Sequence, residues 1–102
     1  MTGTKRAHER YELKLPVTIV AEGRELQGTT INVSLGGMFV GLPEPVKFGS
    51  VVKVRFRMPA LKEDTELTCT VRWVTPEGVG VQFGSLRAME VWGLNQLFKQ
   101  PT

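Results

Sequence analysis

The chain has 102 residues, 41% hydrophobic and 23% charged, the composition of one globular domain with a modest core. No apolar run approaches the ~18 to 20 residues of a membrane span, and the opening Met1-Thr2-Gly3-Thr4-Lys5-Arg6 lacks the apolar stretch of a secretory signal. A single cysteine and a single histidine exclude an internal disulfide and a multi-cysteine zinc site, and the formal charge of +3 suits an anionic partner without forming the dense basic stripe of a duplex-DNA binder.

Residues 1–12 are polar and charged, with Lys5, Arg6, His8, Glu9 and Arg10 and no apolar face before Tyr11. They predict a mobile basic arm, leaving 13–100 as the one folded domain. From Leu13 to Ala21 the chain alternates: Leu13, Leu15, Val17, Ile19 and Ala21 point one way, Lys14, Pro16 and Thr18 the other. That is a half-buried strand. Glu22-Gly23 turns it, and Arg24 to Val33 returns as a hairpin partner. A short strand follows from Gly37 to Val40. Pro43, Pro45 and Gly49 mark a loop.

Ser50 to Met58 predicts a strand with Val52, Val54, Phe56 and Met58 inward and Lys53, Arg55 and Arg57 outward. Glu66 to Val74 predicts another, with Leu67, Cys69, Val71 and Trp73 on one face, and Pro76-Glu77-Gly78 turns it into Val79 to Phe83. After Gly84-Ser85 the period changes. Ser85 is a good helix N-cap, and Leu86, Met89, Leu94, Leu97 and Phe98 recur at helical spacing. Gly93 on that face points to close packing. The order is five or six short strands, mostly hairpin-linked, then one helix. With no helical crossover, the expected fold is all-β, a small antiparallel barrel with a C-terminal helix over one open end or flank.

Two constellations carry candidate chemistry. Arg6-x-x-x-Arg10, with Lys5 beside it, places two guanidinium groups that can grip phosphates bidentately, pair with the acceptor edge of guanine or stack on a base. The spacing alone is weak, arising in roughly a third to a half of shuffled chains. Asn32-x-Ser34-x-x-Gly37 interrupts a strand-like stretch with hydrogen-bonding side chains and glycines. That spacing arises in only about 1% of shuffles. As plain structure it is a tight turn; as chemistry it is a cradle.

Together, Arg6-Ala7-His8-Glu9-Arg10 and Asn32-Val33-Ser34-Leu35-Gly36-Gly37 resemble the two motifs of the PilZ domain, RxxxR and [D/N]xSxxG. Val71-Arg72-Trp73-Val74 and Gly78-Val79-Gly80-Val81-Gln82-Phe83 are similar to the family's last two barrel strands, and the C-terminal helix also has its counterpart. The resemblance implies a six-stranded antiparallel barrel and a bacterial receptor for the second messenger cyclic di-GMP. It implies that Arg6 and Arg10 contact the ligand's phosphates and guanines, with Lys5 adding a phosphate contact. Asn32 would bond a guanine edge, Ser34 would reach a phosphate or its neighbour, and Gly37 would leave room and set the turn. Asn replaces the commoner Asp, which removes one negative charge and keeps an acceptor.

The expectation is a cytoplasmic, non-enzymatic receptor without cofactor or membrane insertion. Its arm folds around cyclic di-GMP and changes the surface seen by a protein effector. The alternative is a PilZ-fold adaptor that does not bind nucleotide. A single-stranded nucleic-acid barrel needs exposed aromatics along a basic groove, and most aromatics here fall at core-facing positions, so neither DNA nor RNA is expected. Trp73, sharing a face with Leu67, Cys69 and Val71, reads as core or rim ahead of a guanine-stacking role. Trp92 lies off the helix's apolar stripe, which leaves open a protein contact or packing on the barrel. Cys69 reads as a small buried hydrophobe, and His8 as near the ligand or solvated. Catalysis finds no support, since Ser34 has no base to activate it.

Overall fold

The alternating stretches form a barrel wall in the computed structural model, which describes residues 10–44, 46–61 and 63–99. Its strands are β1 (Pro16–Ala21), β2 (Arg24–Val33), β3 (Gly37–Gly41), β4 (Val51–Phe56), β5 (Thr65–Thr75) and β6 (Gly78–Phe83), followed by helix α1 (Ala88–Lys99). Every pairing is antiparallel, and the sheet closes in the order β1-β2-β3-β6-β5-β4, with β4 returning to β1. Closure removes exposed edges. The expected six-stranded antiparallel barrel with a C-terminal helix is the fold observed.

The period-2 pattern sets the interior. Val17 and Ile19 of β1, Val52, Val54 and Phe56 of β4, and Leu67, Cys69 and Val71 of β5 are buried in one cluster. Leu94 and Leu97 of α1 join it, so the helix stacks on the same core. Gly93 is the helix's contact point: a Cβ there would lie 2.8 Å from Met58 Sδ and 3.1 Å from Leu61 Cδ1. Burial pushes the Cys69 thiol up to about 12 from an ordinary 9.0. The folded chain therefore keeps its thiol proton where the unfolded chain loses it, and stability falls as pH rises from about 9 towards about 12. We expect native protein to resist alkylation by iodoacetamide at pH 8 and to react in denaturant, as mass spectrometry would show; labelling of the native chain would contradict this burial.

Three details depart from the strand and helix periods. Leu13 and Leu15 alternate as expected, but the ladder begins only at Pro16, because the segment before it bonds mainly to a side chain. Thr30 Oγ1 donates to the Leu13 carbonyl and accepts from the Leu15 amide. Trp73 does not share the face of Val71. The β5–β6 register shifts between them, a bulge that flips the alternation, and Trp73 is 57% exposed. Ser85 is not the helix cap. The Glu90 carboxylate accepts from the Arg87 amide at 2.8 Å and pairs with its guanidinium at 2.9 Å, half of a capping box centred on Arg87. Starting the helix there buries Glu90 and leaves Met89, expected on the apolar face, 62% exposed.

Candidate ligand-binding site

Two local devices bring the sequence motifs together. Tyr11, within the last residues of the expected mobile arm, is tied down: it forms an isolated antiparallel bridge with Val33, its amide donating to the Val33 carbonyl at 2.8 Å and its carbonyl accepting from the Val33 amide at 2.9 Å. Buried Thr30 holds the next residues as described above, and its own amide donates to the Leu15 carbonyl at 2.9 Å. Residues 11–15 therefore run along the last turns of the β2 ladder. That course sets Arg10 beside Asn32, and Arg10 Nη1 donates to Asn32 Oδ1 at 2.9 Å. The second residue of the arginine motif thus touches the first residue of the cradle, 22 positions away in sequence. Lys5 and Arg6, the other basic candidates, and His8 lie outside the described residues.

The cradle is a self-contained turn. Ser34 Oγ accepts from the amides of Gly36 and Gly37 at 3.1 and 3.2 Å, and the Ser34 amide donates to the Gly37 carbonyl at 2.8 Å. The hydroxyl proton points at the same carbonyl across 3.3 Å, beyond the roughly 2.5–3.0 Å of a good O–H···O bond. Both lone pairs are thus committed, and the proton is held only by this long bond. Ser34 is 5% exposed, so the hydroxyl first holds the turn. Ser34→Ala leaves two backbone donors without their acceptor, at a cost of about 1–3 kcal/mol. Thermal denaturation should show a melting point lowered by roughly 4–8 °C per kcal/mol; an unchanged melting point would remove the hydroxyl from the turn's support. Gly37 also serves the turn. A Cβ there would fall closer than 3.0 Å to the Val81 carbonyl oxygen, so the room it leaves is filled by β6.

Beyond the cradle, the register lines up an outward row. Asn32 pairs with Phe39, Phe39 with Gly80, and Gly80 with Trp73. Three inter-strand spacings make the path from Asn32 to Trp73 about 14 Å along the curved wall. The Trp73 ring lies over Gly80, where an added Cβ would sit 2.7 Å from Cε3. Ile31, outward by the regular alternation of β2, is 42% exposed at the near end, and the bulge between Thr30 and Asn32 brings Asn32 to the same side. Beside Trp73 on β5, Arg72 donates through Nε to Gln82 Oε1 at 2.7 Å, and among the described residues it forms no ion pair. The row has Arg10 and Asn32 at one end and an exposed indole at the other.

Sequence periodicity misses the indole end of this row because a bulge leaves no mark in the apolar pattern. One signal was present. Gly78 and Gly80 alternate on one face of a strand, which marks a place where something packs closely from outside. Among the described residues no group of three or more His, Cys, Asp or Glu could hold a metal ion, and no helix is long and apolar enough to cross a membrane.

Comparison with solved structures returns the same barrel. The PilZ domain of CeSA from a cellulose-synthesizing bacterium aligns at a TM-score of 0.69 and 16% identity, covering 88% of this chain and 94% of its own. The Bacillus subtilis inhibitor of motility, MotI/DgrA, aligns at a TM-score of 0.76 and 23% identity over 93% of this chain. This chain spans about half of that protein, 49% of its length. At these identities the likeness is one of fold. No curated protein matches. The model of the PilZ domain, however, matches residues 4–97. That span takes in most of the arm, the cradle, all six strands and nearly all of the helix, and this chain therefore belongs to the PilZ domain family.

Proposed function

We propose that this protein is a cytoplasmic cyclic di-GMP receptor that acts as an adaptor, without catalysis, and passes nucleotide binding to a protein effector. The observation that carries the reading is the Arg10–Asn32 bond, which joins the second arginine of one motif to the first residue of the other. PilZ domains form a family of cyclic di-GMP receptor and adaptor folds, and the chemistry of this site suits that ligand. Arginine has five N–H donors, and Arg10 has one described bond, so its fork is open to a phosphate or a guanine edge. Asn32 keeps its amide N–H donors for a purine. The Ser34 proton, held only by its long bond to the Gly37 carbonyl, can turn to an anionic oxygen while the turn's two N–H bonds stay in place. Trp73 offers a stacking face at the other end of the row. Lys5 and Arg6 complete the basic clamp in this reading.

Calorimetric titration of the folded chain with cyclic di-GMP tests it. Saturable binding is expected. A flat titration by a chain that circular dichroism shows to be folded would sink the receptor reading and leave a PilZ-fold adaptor that works without nucleotide.

A further inference from the structure

At the barrel end that carries the β2–β3 turn, α1 and the loop between β4 and β5 enclose a groove of about 540 Å³, within the range of built binding pockets. Ala60, Leu61, Met89 and Trp92 supply apolar walls, and Glu63 and Asp64 line it from the loop. Met89 is 62% and Trp92 48% exposed. Neither holds the core together, and both belong to residue types enriched at protein interfaces. Among the described residues Glu63 and Asp64 have no ion pair, while the groove's one arginine, Arg87, is engaged by Glu90. Residues 59–66 carry Lys62 against Glu63, Asp64 and Glu66, so this stretch is net acidic in a chain of net charge +3. The groove repels phosphates and attracts cations.

We propose that this groove docks a segment of the effector protein that carries an apolar anchor flanked by lysine or arginine. The inference rests on the adaptor half of the receptor reading. Trp92 is the central anchor, and Glu63 and Asp64 select the charge of the partner. The helix gives the groove a physical link to the nucleotide site. Phe98, near its C-terminal end, stacks on Tyr11 at a centroid distance of 4.2 Å and an interplanar angle of 10°. Tyr11 is the residue after Arg10, so whatever orders Arg10 bears on the helix that lines the groove.

The chain has two tryptophans, and their indole N–H signals report the two sites separately. The probe is a short synthetic helical peptide with a leucine and phenylalanine face flanked by arginines, beside a twin with glutamate in place of each arginine. In nitrogen-15 correlation spectra of the full chain, the basic peptide should move the Trp92 indole and the Glu63 and Asp64 amides, and the acidic twin should not. Trp92→Ala, and separately Glu63→Lys with Asp64→Lys, should weaken the basic peptide at least tenfold, while cyclic di-GMP binding stays unchanged. The inference is overturned if the twins bind alike, if the basic peptide fails to bind or moves Trp73 instead, or if the variants bind it as the wild type does. Failure of cyclic di-GMP to move any signal in the same sample would strike the receptor reading alone.

Discussion

Arg10→Ala is expected to reduce cyclic di-GMP affinity by two or more orders of magnitude and to leave the melting curve almost unmoved. The two halves of that expectation have different physical grounds. The Arg10 contact with Asn32 is exposed, and surface contacts of this kind change stability by about 0.5 kcal/mol or less. Against a phosphate or a guanine edge the same guanidinium forms two charge-assisted bonds, each contributing about 1.5–3 kcal/mol. Losing both costs about 3–6 kcal/mol, and each ~1.4 kcal/mol is tenfold in affinity. Arg10→Lys separates charge from geometry. It keeps the cation and loses the planar fork, so it should bind more weakly than the wild type and more tightly than the alanine variant.

Asn32→Ala removes a neutral partner and should cost less, about tenfold. Because the two side chains touch, the double variant should fall short of the sum of the single losses, the signature of residues acting on one ligand together. A titration in which Arg10→Ala binds like the wild type would dissociate the arginine motif from the site.

The barrel was legible where its strands are regular. The alternation through Val17, Ile19 and Ala21, and again through Val52, Val54 and Phe56, places the right side chains inside because one face of each strand meets the core throughout. It failed where the backbone inserts a residue. The bulge after Val71 turns Trp73 outward, and the one after Thr30 turns Asn32 outward and Val33 inward. Neither carries a local signature, since both follow from fitting neighbouring strands into a closed wall. At the helix, Ser85 looked like the cap because serine satisfies N-terminal amides well. Glu90 does that work from inside, which rotates the helix and exposes Met89.

The motifs themselves were legible, but their meeting was not. Arg10 reaches Asn32 only because Tyr11 bridges Val33 and Thr30 holds Leu13 and Leu15, contacts that no spacing rule contains. The resemblance implied room for the ligand at Gly37, and the structure fills that room with backbone.

Gly37→Ala should therefore be among the most destabilising single substitutions in the chain, about 3–5 kcal/mol, although it adds one methyl group. The obstacle is the Val81 carbonyl oxygen, with Val81 C at 3.1 Å and Gln82 Cα at 3.2 Å behind it. All three are backbone, so no side-chain rotation relieves the overlap. β3 must move away from β6, which strains the Gly37–Gln82 pairing at the start of that ladder. Overpacking costs typically about 1–3 kcal/mol, and each hydrogen bond lost nearby adds about 1 kcal/mol. Those at risk include the Ser34 amide to the Gly37 carbonyl and the Gly37 amide to Ser34 Oγ. For a domain of this size each kcal/mol lowers the melting point by roughly 4–8 °C.

Gly41, on the same face of the same strand, is the internal control. A Cβ there meets the Glu77 and Thr29 carbonyl oxygens, both at 3.6 Å, and Ile31 Cδ1 at 3.9 Å, all ordinary contacts. Gly41→Ala should match the wild type or gain about 0.4–1 kcal/mol from the stiffer unfolded chain. Thermal melts of the two variants, followed by titration with cyclic di-GMP well below both transitions, separate structure from recognition. If Gly37→Ala melts with the wild type yet fails to bind, the glycine serves the ligand and its contact with β6 is incidental. If it melts far below Gly41→Ala, this glycine of the motif is there because two strands touch, and the ligand finds a cradle that the barrel needed first.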